Sequence, residues 1–445
     1  MVAKPSPLRL DTSLLDYKPD AFSNGGLPVT PPADYELEVL HELSTPVDEV
    51  IDPQARPLVA VIGVGYVGTH LVNNFGRVHD TIGFDVSERR VKELQHEFSQ
   101  NSRVRVTSNA SDLDEATHYL ISVPTLLLAD RSIDASYLRS ALRTVAAHAR
   151  RGATVVIESS VAVGMTRQLL GPLAKRHGYF AGMSPERVDP GRIDPPAHAI
   201  PKVVSGLDDV VPGSLNSILA LYSQAFDRVV PVSTPEVAEM TKLYENCQRM
   251  MCIAYANEMA DACQPHGIDP FEVCSAAATK PFGYQDYTPG VGVGGHCIPV
   301  NPHYLLSNSA FPLLQAASDA MARRPAALAR RAVDKLLRRW PANAVCKPRV
   351  LVVGVGFKAG QATLSNSPGL DLIKHLCLSS SVDVGFADPL VSQDHVPQVP
   401  RLDDDAWNAE TLKSFDMIIV TMRQHGLDFG LLDNLDGVEV EFWCK

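Results

Sequence analysis

The segment LVAVIGVGYVGTHLVNNF, residues 58–75, constrains the fold of this chain more than any other. It reads as a short apolar strand, a glycine turn, and a helix with apolar residues at three- and four-residue spacing. Within it, Gly63-Val64-Gly65-Tyr66-Val67-Gly68 has the form GxGxxG. The first glycine permits the tight turn, the second lets the backbone approach a pyrophosphate, and the third lets the helix pack on the strand. The helix N-terminus then offers unpaired N–H groups and a positive dipole end to phosphates. Asp85 ends the next apolar segment 22 residues after Gly63, where a carboxylate accepts from ribose hydroxyls. The same charge repels a 2′-phosphate, so the expected cofactor is NAD rather than NADP.

Further strands are read at 82–85, 117–124 and 153–160, with helical pattern between them, beginning with SERRVKELQ. Alternating βα units of this kind build a parallel, doubly wound sheet. From Pro235 the pattern is helical for a long stretch, and a second helix is expected over 313–340 with Pro325 inside it. PRVLVVGVGF then opens a second βα series, with a helix at SPGLDLIKHLC and strands at VDVGFADP and FDMIIVTM. The expected fold class is α/β, with two Rossmann-like doubly wound domains joined by a helical middle domain. Residues 1–56, rich in Pro, Asp and Glu without a sustained period, are expected to be a poorly ordered extension. The dinucleotide domain is then expected at 57–232, the helical domain at 233–342 and the C-terminal domain at 343–445.

A net charge of −11 argues against a general nucleic-acid or anionic-membrane surface, although a pocket can be locally positive. The eight cysteines contain no CxxC pair and no zinc-like spacing, so no metal is expected. Cys247, Cys252, Cys263 and Cys274 fall in a helical pattern and read as reduced core thiols, which fits a reducing compartment. No apolar run approaches a membrane span and the first residues lack an apolar signal region, so the cytoplasm is the expected location.

GVGVGGHCIPVNPHY, ending at Tyr304, places Cys297 directly after a glycine run. Glycines let the backbone come close to a ligand and take positive φ. Cys297 could therefore be a nucleophile facing that ligand, or one small buried residue among eight cysteines.

GYVG, VIESSVAVGMT, MSPERVDPG, AEMTKLYEN, KPFGY and GVGGHCIPVNP occur in this order, and together they resemble the UDP-glucose/GDP-mannose dehydrogenases. The resemblance runs from about residue 57 to about 430, and SPERVDPG and GGHCIPV are more similar to the UDP-N-acetylhexosamine branch. It implies an NAD-dependent, four-electron oxidation of the C6 alcohol of a UDP-sugar to the uronic acid. A Cys297 thiolate would hold the aldehyde as a thiohemiacetal, and a second hydride loss would leave a thioester that water hydrolyses. Only the thiolate attacks, so the site must favour it electrostatically.

The resemblance also implies roles. Lys242 and Asn246, at i and i+4 on one helix face, stabilise the oxyanion and position the alcohol or water. Glu186 handles the water of thioester hydrolysis, and Ser160, where the family usually has Thr, helps hold it. Gly63, Gly65, Tyr66, Val67, Gly68, Asp85, Thr125, Glu158 and Lys358 fall on the cofactor side. Arg187, Tyr284 and Asn301 join Lys242 and Asn246 on the substrate side, and Gly292, Gly294 and Gly295 are expected to lie against the sugar diphosphate. A homodimer or higher homo-oligomer and a place in polysaccharide biosynthesis are implied as well.

Several positions depart from the family pattern. Its CIPVDP aspartate is Asn301 here, ESSVAVGMT lacks both usual prolines, residues 364–368 read LSNSP where LRESP is usual, and VEVEFWCK lacks an Asp-x-Arg. These losses leave a second expectation standing: a divergent member that binds NAD or a nucleotide sugar, turns over poorly, and serves as a regulator or partner. Retention of Cys297, Lys242, Asn246 and Glu186 together favours the enzyme, and a two-electron hydroxyacid dehydrogenase would leave Cys297 unexplained.

Overall fold

The computed structural model describes residues 47–444, apart from 53, 129, 190, 342 and 343. The first sheet holds β1 (Leu58–Ile62), β2 (Asp80–Phe84), β3 (Val104–Thr107), β4 (His118–Ile121), β5 (Thr154–Ile157), β6 (Phe180–Met183), β7 (Lys202–Gly206) and β8 (Val229–Pro231). Their spatial order is β8-β7-β6-β5-β4-β1-β2-β3. Neighbours are parallel except β6 and β7, which run antiparallel with Met183 opposite Ser205. Helices α1 (Tyr66–Gly76), α2 (Glu88–Glu97), α3 (Ser136–His148), α4 (Met165–His177) and α5 (Ser214–Ala225) cover the two faces. Alternate β1 residues serve opposite cores: Val59 and Val61 pack with Leu71, Phe75 and Tyr222, while Ala60 and Ile62 pack with Leu142 and Leu170. A sheet covered on both faces explains why its strands read as unbroken apolar runs.

The helical domain contains α6 (Pro235–Cys263), α7 (Pro270–Ala278), α8 (Asn301–Leu306) and α9 (Pro312–Leu337). Thr234 caps α6 by accepting from Val237 N–H, and Pro235 takes the first helical position, where its missing N–H costs nothing. The second sheet, β9 (Arg349–Val353), β10 (Asp383–Ala387), β11 (Met417–Val420) and β12 (Glu439–Phe442), is wholly parallel in the order β10-β9-β11-β12. Helix α10 (Pro368–Leu378) packs on it and on α9.

Two boundaries differ from the sequence expectation. The first half of α9 (Leu314, Ala317, Met321) packs with α6 and Tyr304, whereas the second half (Leu328, Ala332, Leu336) lies in the core of the second sheet with Val350 and Phe386. The C-terminal unit therefore begins near Pro325 rather than at 343, because one long helix carries an apolar face for each core. At the other end, a strand at Val47–Val50 pairs in parallel with Arg150–Arg151, and Ile51 N–H donates to the Arg151 carbonyl at 2.9 Å. The extension expected to reach residue 56 thus joins the first domain from 47 onward. The expectation for residues 1–46 lies outside the described residues.

Candidate active site

The glycine turn lies at the carboxyl end of β1. Gly63 has φ +85°, and a Cβ there would come within 2.8 Å of the Ser122 carbonyl oxygen. A Cβ at Gly68 would overlap the Gly63 carbonyl, so this glycine lets α1 sit on the strand. Gly65 faces open space, and it begins α1 with no side-chain cap. That combination of uncapped helix N–H groups and an empty cradle suits a dinucleotide pyrophosphate. Asp85 accepts from Val64 N–H at 3.0 Å and from Ser87 N–H at 2.9 Å, which holds its carboxylate beside the turn with acceptor capacity to spare. Tyr66 is exposed, Val67 is half-buried, and Thr125 donates its hydroxyl to the Ser160 carbonyl at 2.8 Å. The Gly63–Gly68 turn and Asp85 therefore fit the cofactor.

Lys242, Asn246 and the Cys297 turn come together at α6. Glu239 anchors this helix by accepting from Gly164 N–H (2.6 Å) and Thr166 N–H (2.8 Å) at the N-terminus of α4. One turn later Lys242 is buried and interacts electrostatically with Cys297 and Glu186, while Cys297 itself is exposed. Burial lowers the Lys242 pKa from its ordinary value, and Cys297 and Glu186 only partly oppose this. Asn246, a further turn on, donates to Oδ1 of Asn301 at 2.5 Å, and Asn301 N–H donates to the Cys297 carbonyl at 2.9 Å.

Glu186 leads away from Cys297 into the sheet. Its Oε1 accepts from Arg187 N–H (2.6 Å) and Val188 N–H (3.0 Å), and its Oε2 pairs with Lys202 Nζ at 2.8 Å. Lys202 Nζ also pairs with Glu158 Oε2 at 2.6 Å, and the Tyr222 hydroxyl donates to Glu158 Oε1. All four residues are buried. Burial would raise the Glu186 pKa, but the Lys202 ammonium and the two backbone N–H groups hold it below the ordinary carboxylate range. Glu158 is pushed up to about 7, chiefly by burial, because it shares Lys202 with a second carboxylate.

Several of the expected site residues have partners within the protein. Gly292, Gly294 and Gly295 are pressed against the C-terminal domain: a Cβ on Gly294 would lie 2.9 Å from Phe357 and Pro368, and one on Gly295, at φ +89°, would lie 2.9 Å from the Phe357 ring. These glycines permit a close approach of the cysteine loop to the C-terminal domain. Gly295 N–H donates to the Ser365 carbonyl and Asn366 Nδ2 to the Gly295 carbonyl, both at 2.9 Å, so part of the divergent LSNSP segment clasps the cysteine loop. Glu158 pairs with Lys202 and accepts from the Tyr222 hydroxyl. Arg187 is committed to Glu245 (2.6 Å) and the Pro201 carbonyl (2.9 Å). Lys358 pairs with Asp189 at 3.0 Å across the two sheets, and Tyr66 donates to the Asp189 carbonyl at 3.4 Å. Tyr284 interacts with Cys274 of α7.

Lys202, Tyr222 and Glu239 were not singled out by the sequence reading. The signal for Lys202 was a lone charge opening the apolar strand KVVSG, and β7 reverses direction, which brings its first residue to the carboxyl ends of the parallel strands. Tyr304 was also missed: it is fully buried, and it interacts with the Thr125 side chain and electrostatically with Cys297. Among the described residues no cluster of His, Cys, Asp or Glu could hold a metal, and no helix is long and apolar enough to cross a membrane. Cys247 and Cys263 are buried and Cys252 and Cys274 half-buried, all free.

A doubly wound sheet with an open glycine cradle, and a cysteine brought beside its carboxyl edge by a helical domain, defines a dinucleotide-dependent oxidoreductase. Residues 57–226 match the NAD binding domain of the UDP-glucose/GDP-mannose dehydrogenase family, and residues 236–319 match its central domain. The chain is 31% identical over 363 residues to the UDP-N-acetyl-D-mannosamine dehydrogenase of Pyrococcus horikoshii, covering 76% of this chain and 84% of that one. It is 31% identical over 365 residues to the UDP-N-acetyl-D-glucosamine 6-dehydrogenase of Pseudomonas aeruginosa, covering 75% and 83%. The solved structure of UDP-D-ManNAc dehydrogenase from Pyrococcus horikoshii superposes with a TM-score of 0.73 at 28% identity, over 87% of this chain and 99% of that one. A UDP-glucose dehydrogenase from Pyrobaculum islandicum shares the fold, with a TM-score of 0.74 at 22% identity over 89% and 96%. This chain belongs to the UDP-glucose/GDP-mannose dehydrogenase family, and it is an NAD-dependent oxidoreductase.

Proposed function

We propose that the protein oxidises the C6 alcohol of a UDP-N-acetylhexosamine to the corresponding uronic acid through a covalent Cys297 intermediate. The observation that carries this reading is the electrostatic grouping of Cys297, Lys242 and Glu186 beside the Asn246–Asn301 pair. NAD, when bound, supplies the hydride acceptor for each two-electron step. The alcohol gives up its hydroxyl proton to solvent as it loses the first hydride. The Cys297 thiolate adds to the aldehyde carbon to form a thiohemiacetal, which keeps the intermediate on the protein and becomes the thioester on losing the second hydride. The Lys242 ammonium faces the negative charge that develops on the substrate oxygen, and Asn246 orients that oxygen. In the last step water attacks the thioester carbon, Glu186 takes the water proton, and the carbon–sulfur bond breaks to return the Cys297 thiolate.

The relatives named for UDP-N-acetyl-D-mannosamine and UDP-N-acetyl-D-glucosamine support the choice of sugar class. An exposed stripe along one face of α6, formed by Val237, Met240, Tyr244, Tyr255 and Met259, supports a homodimer. A second reading, a binder with little turnover, is favoured by the neutral Asn301 beside the cysteine turn. Purified protein and NAD assayed against UDP- and GDP-sugars separate the two, with absorbance reporting NADH and mass spectrometry the acid. The proposed function predicts acid from a UDP-N-acetylhexosamine. NAD binding with no acid from any sugar supports the second reading.

A further inference from the structure

We propose that Lys202 is a positioning residue for the reaction, holding the Glu186 carboxylate ionised and fixed in place for its part in hydrolysing the thioester. The proposal rests on the role given to Glu186 above. Because β7 runs antiparallel to β6 with Met183 opposite Ser205, continuing the register sets Lys202 across from Glu186. The Lys202 side chain is 2% exposed, and its ammonium lies 2.8 Å from Glu186 Oε2 and 2.6 Å from Glu158 Oε2. With two N–H donors on Oε1, the Glu186 carboxylate is fixed from both ends.

Stability alone does not account for this cluster. Desolvating three ionisable groups costs more than an apolar packing of the same volume, so buried ion pairs are poor stabilisers. Two carboxylates also share one ammonium, which leaves a negative charge uncompensated if both ionise. The groups around them sort that charge. Glu186 faces Lys202, two backbone N–H groups, Lys242 from α6 and Tyr66 from α1. Glu158 faces the same Lys202 and the Tyr222 hydroxyl from α5, in the deeper position. Burial pushes Glu158 up to about 7, whereas Lys202 and two backbone N–H groups hold Glu186 below the ordinary carboxylate range, so Glu186 is the member that keeps its charge more readily. The groups form an alternating row, Cys297, Lys242, Glu186, Lys202, Glu158, Tyr222, in which each interacts with the next.

The test compares wild type with Lys202→Met and Lys202→Arg. Lys202→Met should lower kcat for acid formation by about 10²-fold, the scale of one general base, with KM for NAD and sugar little changed. The Cys297 adduct should then build up in intact-protein mass spectra. The rising limb of its kcat–pH curve should move to higher pH, because Glu186 without its cation needs a higher pH to ionise. Lys202→Arg should recover most of the rate. A folded Lys202→Met with wild-type kcat and pH profile overturns the proposal, as does Lys202→Arg falling as far as Lys202→Met. A carbon-13 carboxyl titration of the wild-type protein needs neither turnover nor a foldable Lys202 variant, with Glu186→Gln serving only to assign the signal. Glu186 ionising below the ordinary carboxylate pKa of about 4.3 supports the proposal, and ionisation at or above it overturns it. Absence of acid from wild type on every sugar would instead fault the proposed function, leaving the titration to decide the role of Lys202.

Discussion

Asn246 on α6 donates to Asn301, the first residue of α8, and Asn301 N–H in turn donates to the Cys297 carbonyl. The helix that carries Lys242 and the turn that carries Cys297 are tied together through residue 301. A carboxylate in its place accepts the same bond from Asn246, and it can also take a proton and support the Lys242 charge. It adds a like charge near the thiolate, but a thiolate is already a good nucleophile near neutral pH, whereas proton transfers need a positioned base. Asn301→Asp is therefore expected to raise kcat, by about tenfold, within the range one proton-transfer group contributes. Measuring kcat on the best sugar from roughly pH 6 to 10 brackets the thiol and amine titrations. An aspartate variant slower at every pH would show that Asn301 is a working part of a retuned site.

Lys242 sets function against stability. Burial lowers its pKa below the unfolded value, so its contribution to stability is fully present above about pH 10.4 and is lost as pH falls through the folded pKa. Lys242→Met should therefore raise the thermal midpoint at pH 7, an advantage that shrinks as pH approaches 10, while kcat falls by about 10²- to 10³-fold. Thermal scans at the two pH values check the sign. A lower midpoint at pH 7 would mean that Lys242 is paired more strongly than its burial implies.

Glu239 holds α6 against the first turn of α4 by accepting two backbone N–H bonds. Burial pushes Glu239 up to about 7, so its charge adds little, but Glu239→Gln keeps only one acceptor for the two N–H donors and leaves one unmatched, so unfolding stability should drop by about 1–2 kcal/mol. Denaturant titration reports this as a lower midpoint with an unchanged slope. An unchanged midpoint would mean that α6 is held by its apolar contacts alone.

Gly295→Ala tests the contact between the cysteine loop and the C-terminal domain. The new Cβ meets the Phe357 ring at 2.9 Å on a backbone with φ +89°, and such strain costs about 1–3 kcal/mol. Both stability and sugar affinity should fall, and a raised KM with unaltered NAD binding is the expected kinetic sign.

What could be read from the sequence follows from how local each constraint is. The Gly63–Gly68 turn was legible because the strand and helix it joins are adjacent in sequence and Gly68 packs on the Gly63 carbonyl, although Ser122, which also crowds Gly63, lies far along the chain. The freedom of Gly292, Gly294 and Gly295 was equally visible, but not what comes close to them: Phe357 and Pro368 lie more than sixty positions on. Lys202 was passed over because its meaning depends on the reversal of β7 between parallel strands, which a period of two does not reveal. The domain border near Pro325 was hidden for a similar reason, since a helix serving two cores shows one continuous pattern.

The central claim is that one site carries a sugar through both oxidations without releasing the aldehyde, and the direct measurement is product stoichiometry in a single reaction. NADH is followed by absorbance while sugar, aldehyde and acid are quantified by mass spectrometry. About two NADH per sugar consumed, with acid as the product and little free aldehyde, is the predicted result. About one NADH per sugar with aldehyde accumulating would contradict a covalent role for Cys297 and the account built on it.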